Sequence, residues 1–172
     1  MGQIKKAEPA KLIVGFIFKD EDLLRKALVS LENKFGKTDF ESRALPFVYT
    51  DYYEKEFGID LKRKFVSFSK LILPEKLPRI KTITNKIEKR FSENRKRRVN
   101  IDPGYLNLSK LVLASTKDFS HRIYLDRGIW AEITLMFRDK NFHPLDWTYP
   151  DYRTNVYIEI FNRIREIYAG QV

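Results

Sequence analysis

Three observations predict an α+β fold. Lys11–Phe18 (KLIVGFIF) is a near-continuous apolar run, the mark of a central strand buried on both faces. Three other stretches space their apolar residues by three and four, as amphipathic helices do. The stretch from His121 to Phe137 alternates apolar and polar residues around Arg127-Gly128, as a hairpin does.

After the first strand, Asp20 is placed to cap a helix that carries Leu23, Leu24, Ala27, Leu28, Leu31 and Phe35 on one face and stops at Gly36. Ala44–Tyr49 (ALPFVY) reads as a second strand, with Pro46 marking an edge or bulge. Leu61–Leu73 alternates as a third strand and opens on the cations Lys62-Arg63-Lys64. Pro74 or Pro78 starts a second helix with Ile80, Ile83, Ile87 and Phe91 as its apolar stripe. Arg79, Lys86 and Arg90 run beside that stripe, and Arg95–Arg98 ends it.

Arg98–Ile101 supplies a fourth strand, and Asp102-Pro103-Gly104-Tyr105 reads as a tight turn. Leu106–Ala114 is a short helix or strand. A hairpin, 121–126 with 129–137, and a further strand near 142–147 form a β-meander. An aromatic loop (WTYPDYR) leads to a last helix, capped by Asp151 or Thr154, with Val156, Ile160, Ile164 and Ile167 as its buried face. The order over 11–101 is that of a ferredoxin-like βαββαβ core with an antiparallel sheet. Residues 102–172 extend the sheet with the meander and add the final helix. A length of 172 residues is expected to form a single domain, 1–172.

Composition narrows the function classes. With no cysteine there is no disulfide, thiol nucleophile or cysteine zinc site, and two histidines make no closed zinc site, so no zinc is expected. No apolar run approaches a membrane span, so a cytoplasmic protein without a membrane partner is expected. A third of the residues are charged and only two are Met, which suits a thermophile. The net charge of +10 is uneven: residues 1–60 sum to −1 (10 basic, 11 acidic), 61–98 to +11 (14, 3) and 99–172 to 0 (9, 9). One segment therefore holds the whole excess, and such a patch attracts phosphate-rich partners when it is not simply a solvated surface.

The densest set of reactive and ligand-gripping groups lies just after it, from Arg97 to Glu132. Candidate catalytic groups are Asp102, His121 and Glu132, joined by Asp51 at the end of the second strand. Carboxylates orient bases or hold Mg²⁺, and a His–carboxylate pair across neighbouring strands is the minimum for acid–base work. Candidate ligand or phosphate contacts are Tyr53, Arg97, Arg98, Asn100, Tyr105, Ser115, Thr116, Lys117 and Arg122. They supply cations, hydroxyls and stacking faces. Each has a plain alternative: a helix-dipole partner in the arginine run, an Asx turn at Asp102, a cap at Ser115-Thr116, a structural cross-strand pair at His121–Glu132. A Mg²⁺ site on Asp51, Asp102 or Glu132 stays open. The leading expectation is binding of an anionic ligand, a nucleotide or RNA, on a basic surface beside Asn100–Glu132. The alternatives are a small enzyme acting on a phosphorylated or nucleotide substrate, and a purely structural protein. Oligomeric state is left open.

The segments FVYTDYYEKEFG, RRVNIDPGYLNLSKLVLASTKDFSHRIYL, GIWAEITL and WTYPDYR resemble a prokaryotic family catalogued as a domain of unknown function and numbered four-four-one-six. The resemblance covers nearly the whole chain and implies no established activity or residue roles. Some relatives are labelled GTP-binding, yet this chain has neither G-x-x-x-x-G-K-[ST] nor G-x-G-x-x-G.

Overall fold

The computed structural model describes residues 2–50 and 52–172. The elements are β1 (Lys11–Phe18), α1 (Glu21–Phe35), β2 (Thr38–Glu41), β3 (Leu45–Pro46), the single turn α2 (Glu54–Phe57), β4 (Lys62–Phe68), α3 (Leu77–Arg90), β5 (Val99–Leu106), β6 (Lys110–Ser115), β7 (Ile123–Asp126), β8 (Ile129–Arg138), β9 (Asn141–Pro144) and α4 (Asn155–Ala169). Short 3₁₀ turns precede α3 and α4. Among the described residues, nine strands form one antiparallel sheet in the order β2-β4-β1-β5-β6-β8-β7, with β3 beside β4 and β9 beside β8. The fold is mixed α+β.

β1 is central because it is apolar on both sides. Leu12, Val14, Phe16 and Phe18 meet α1 and α3 on one face, packing with Leu24, Ala27, Leu31, Ile80 and Ile87. Ile13 faces the other way, into a second cluster with Phe65, Leu113, Leu135 and the α4 residues Tyr157, Phe161 and Ile164. Each such buried Leu, Ile or Phe contributes roughly 1.5–3 kcal/mol. The sheet is thus sandwiched, with α4 on the face opposite α1 and α3.

Four expectations are corrected. Thr38–Glu41 is an unanticipated edge strand. Its Asp39 turns inward to accept from Ser67 Oγ at 2.6 Å and from buried Lys11 Nζ. The 44–49 strand shrinks to Leu45–Pro46, since Pro46 lacks the N–H a longer ladder needs. Asp102–Tyr105 is not a turn but the middle of β5. Pairing of β5 with β6 begins only at Gly104, so Pro103 is tolerated where that side of the strand has no ladder. The final helix buries Tyr157, Ile158, Phe161, Ile164 and Tyr168 and leaves Val156 41% exposed, so its core face is rotated toward the aromatics. Thr154 caps it, its hydroxyl accepting from Tyr157 N at 3.4 Å.

Two irregularities of the sheet shape its interior. Gly104 allows β5 and β6 to approach: a Cβ there would sit 2.4 Å from the Val112 carbonyl oxygen. Before Gly104 on β5 and beyond Leu113 on β6 no pairs form, so the two strands part. In β8 a bulge falls at Thr134, because Ile133 pairs with Val112 but Leu135 with Leu111. One extra residue flips the side chains beyond it, so Leu135 joins the α4 cluster, whereas strict alternation puts it on the face of Ile133.

Candidate functional site

Where β5 and β6 part, a cavity of about 550 Å³ opens. Its walls come from the chain around Phe47–Tyr53, from Arg63 on β4, Lys81 on α3, Asn100 and Asp102 on β5, the end of β6, and Tyr149–Tyr152 before α4.

The floor is a buried charge network. Arg63 is 4% exposed and in phase with Phe65 and Ser67 on the α4 face of β4. Gly15, between Arg63 and Asp102, leaves the trough this needs: a Cβ on it would lie 3.3 Å from Arg63 Nη1 and 3.0 Å from the Phe65 ring. Arg63 Nη2 donates to Asp151 Oδ2 at 2.8 Å, and Nη1 lies 3.8 Å from Asp102 Oδ2. Its guanidinium lies near the rings of Phe47, Phe65 and Tyr152, 5.0 to 5.6 Å from their centroids. Lys81 Nζ reaches round the open edge of β5 to Asp102 Oδ1 at 3.2 Å and the Ile101 carbonyl at 3.3 Å. Asn100 donates to Asp102 Oδ2 and accepts from Arg97 Nη1 at 2.8 Å. Burial pushes the Asp102 carboxyl up, but Lys81 and Arg63 outweigh it and hold the group below its ordinary value. Glu88 behaves oppositely: burial raises it above its ordinary value despite Lys81. Burial also raises the Tyr53 phenol.

Arg97 ties the walls together. Its backbone N and Nε donate to Glu56 Oε1 at 2.9 Å, Nη2 to Glu56 Oε2 at 2.7 Å, and Nη1 reaches Glu88 at 3.4 Å. It thereby pins α2, and the tyrosines before it, to α3 and β5. Arg122 does the same at the rim. Nε donates to Glu132 Oε2 at 2.9 Å, Nη1 to Ser115 Oγ at 3.1 Å and the Lys117 carbonyl at 2.9 Å, and Nη2 to Tyr149 Oη at 2.7 Å. Both guanidiniums are occupied by the protein and act as braces. Lys117 is different. It is exposed, its Nζ meets Tyr52 Oη at 3.0 Å and lies 4.7 Å from that ring's centre, and it pairs with no carboxylate among the described residues.

Of the residues singled out in the sequence, Tyr53, Arg97, Asn100, Asp102, Ser115, Thr116, Lys117, Arg122 and Glu132 line this one cavity. His121 stands behind it. Its Nε2 shares a hydrogen bond with Glu132 Oε2 at 2.9 Å, and its ring stacks on Trp147 at 5.3 Å. Arg98 points elsewhere, to Asp20 and Glu93, each at 3.1 Å. Tyr105 packs on the opposite face with Leu77 and Val112. Asp51 lies outside the described residues. Sequence reasoning missed Lys81, read Arg63 only as a strand's cationic start, and read Asp151 as a cap. The signals were present: Leu77, Lys81, Thr84 and Glu88 form a second helical line beside the apolar stripe, and Arg63 is in phase with Phe65. Among the described residues no group of three or more His, Asp or Glu is placed to hold a metal ion. No helix there is long and apolar enough to cross a membrane.

Fold and cavity define a mixed α+β protein with a ligand-sized cleft at a fork in its sheet. Residues 8–168 match the model of the family described as "Domain of unknown function (DUF4416)", and the chain belongs to that family, the one its motifs resemble. No curated protein and no solved structure matches the chain.

Proposed function

We propose that this protein binds a small anionic molecule of nucleotide size in the β5–β6 cleft. The observation that carries this is the pairing, in one cavity of about 550 Å³, of a rim of tyrosines with an exposed lysine (Lys117) that meets no carboxylate among the described residues. The volume is that of a small-molecule pocket. Tyr49, Tyr52 and Tyr149 are 40–59% exposed and offer ring faces to a planar group. The cations of 61–98 are not one population. Arg63, Lys81 and Arg97 serve the cavity, whereas Lys76, Arg79, Lys86, Lys89, Arg90, Arg95 and Lys96 face solvent. The cavity favours a monomeric ligand over RNA laid on a basic surface.

The test is calorimetric titration of nucleotides and phosphorylated metabolites at low and moderate salt. Micromolar to low-millimolar affinity for a monomer, weakened in Lys117→Gln, is expected. Absence of binding by the whole series refutes the reading.

A second reading, an enzyme acting on a phosphorylated or nucleotide substrate, is favoured by one fact: Asp102 and Glu132 line the same cavity, and His121 bonds Glu132. In it Asp102 is the base and Lys117 the phosphate contact. Turnover that Asp102→Asn abolishes would replace simple binding. On strand order β2-β4-β1-β5 with α1 and α3 crossing on one face, we read the first half as a ferredoxin-like βαββαβ unit. We read the chain as one domain because β5, which carries the 101/102 boundary, is continuous. A cytoplasmic setting in a thermophile rests on composition alone.

A further inference from the structure

Resting on that binding reading, we infer that the cleft imposes a polarity on its ligand. A hydrogen-bond-donating end goes inward to Asp102, and the anionic end stays at the rim with Thr116 and Lys117. The Asp102 carboxylate, between Lys81 and Asn100, faces the exposed Lys117 across one cavity.

Three carboxylates among the described residues line the cavity, and they differ in access. The side chains of Glu132 and Asp151 are 2% and 6% exposed, closed in by Arg122 and Arg63, whereas that of Asp102 is 27% exposed. An ionised carboxylate is an acceptor with about four lone-pair sites. Asp102 receives two close donors, Lys81 and Asn100, with Arg63 at 3.8 Å, which leaves capacity for a donor from a ligand. An anion placed there meets like charge at Asp102 and Asp151 in a poorly solvated floor. Arg63 and Lys81 are matched in charge by those two carboxylates, so they leave no net positive charge for the anion, although Arg63 Nε and Nη1 have no hydrogen-bond partner there. At the rim the balance reverses. Arg122 neutralises Glu132, and Lys117 retains its charge on an exposed stem beside the Thr116 hydroxyl. Asp102 is therefore a specificity-determining residue: it selects ligands whose buried end carries hydroxyl or amino groups. Lys117 contributes affinity for the charged end. The ligand class is a phosphate monoester or a free carboxylate of a donor-rich body, with nucleosides and their monophosphates as practical probes.

The experiment titrates the intact protein with the four common ribonucleosides, their 5′-monophosphates, inorganic phosphate and a short RNA. At least one nucleoside should bind with little salt dependence, and its monophosphate more tightly at low salt. Asp102→Asn should weaken both by roughly 10- to 100-fold, as expected for a lost hydrogen bond to a charged group, while phosphate alone binds no more weakly. Lys117→Gln should weaken the monophosphate to the level of its nucleoside and leave the nucleoside unchanged. Lys117 is exposed and its variant keeps the fold. Should Asp102→Asn not fold, Asp102→Glu, which keeps the charge but displaces it, must change the ranking of the nucleosides. Three results overturn the inference. The first is phosphate alone matching the monophosphates while nucleosides fail, which leaves the anion-binding reading standing. The second is a monophosphate advantage that survives Lys117→Gln but vanishes in Asp102→Asn, which reverses the polarity. The third is RNA outcompeting every monomer. No binding by any probe removes both readings.

Discussion

Asp102 and Glu88 both feel Lys81 and both are raised by burial, yet their net shifts are opposite, which gives a pH signature. Asp102 is held below its ordinary value of 3.8, so between its folded value and 3.8 the unfolded chain binds more protons. Its contribution is therefore full above 3.8 and is lost as pH falls through the folded value. Glu88 is raised above 4.5, so its contribution is full below 4.5 and is lost as pH rises through its folded value. In melting-temperature profiles, Asp102→Asn should flatten the acid limb below 3.8, and Glu88→Gln should flatten the decline above 4.5. An acid limb unchanged in Asp102→Asn would mean that the Asp102 carboxyl titrates alike in the folded and unfolded chain. Gly104 gives a second prediction. A methyl group there meets the Val112 backbone oxygen first, which cannot swing away, and then the Leu113 side chain. Gly104→Ala should cost about 1–3 kcal/mol, read as a lower denaturant midpoint at unchanged slope.

At the scale of elements, α4 carries the clearest contrast between pattern and packing. Spacing puts Val156 on the buried face, yet Phe161 stacks on Tyr152 and meets Phe65 at a ring distance of 4.9 Å, while Val156 lies outside. Phe161→Ala should cost about 3–5 kcal/mol, and Val156→Ala should stay within about 0.5 kcal/mol; chemical denaturation measures both. The hairpin of β7 and β8 was legible because Arg127 and Gly128 both take positive φ, as its two-residue turn requires. The bulge at Thr134 was not, because no residue type demands one. Its effect appears only once α4 claims Leu135. β2 was hidden for a similar reason. Thr38-Asp39-Phe40-Glu41 has two acidic groups in four residues, and the buried ammonium of Lys11 and the Ser67 hydroxyl, both distant in sequence, explain Asp39.

Over the whole molecule, the cations of residues 61–98 are divided between the cavity and the solvent face. Arg79, Lys86 and Arg90 share one solvent stripe of α3, none of them joins the cavity, and none pairs with a described carboxylate. Reversing all three to Glu should abolish weak, salt-sensitive retention of RNA and leave small-ligand affinity within about twofold. A parallel loss of both would merge the two surfaces into one. The excess of +11 in residues 61–98 mixes cations that line the cavity with cations that face solvent. Helical phase separates Lys81 from Arg79, and strand phase separates Arg63 from Lys62 and Lys64. Asn100, Asp102, Ser115, Lys117 and Glu132 stand out in the sequence as density along the chain, but their meeting in one cavity is visible only in the fold. The roles of Arg97 and Arg122 were not, because a guanidinium reads the same in sequence whether it is offered to a ligand or used up by its neighbours.

The parting of β5 and β6 makes the size of this cleft a matter of whole numbers. The two strands close like a zip, rung by rung, and stop at Gly104–Leu113. One more rung would bring Pro103 against Ala114, and a second would bring Asp102 against Ser115 and erase the space with every core side chain in place. One fewer would lengthen it by about 3.4 Å, the rise of one residue. Capacity for a larger or smaller guest can thus change in steps, through a glycine or a proline at the fork, while the layers on either side stay as they are.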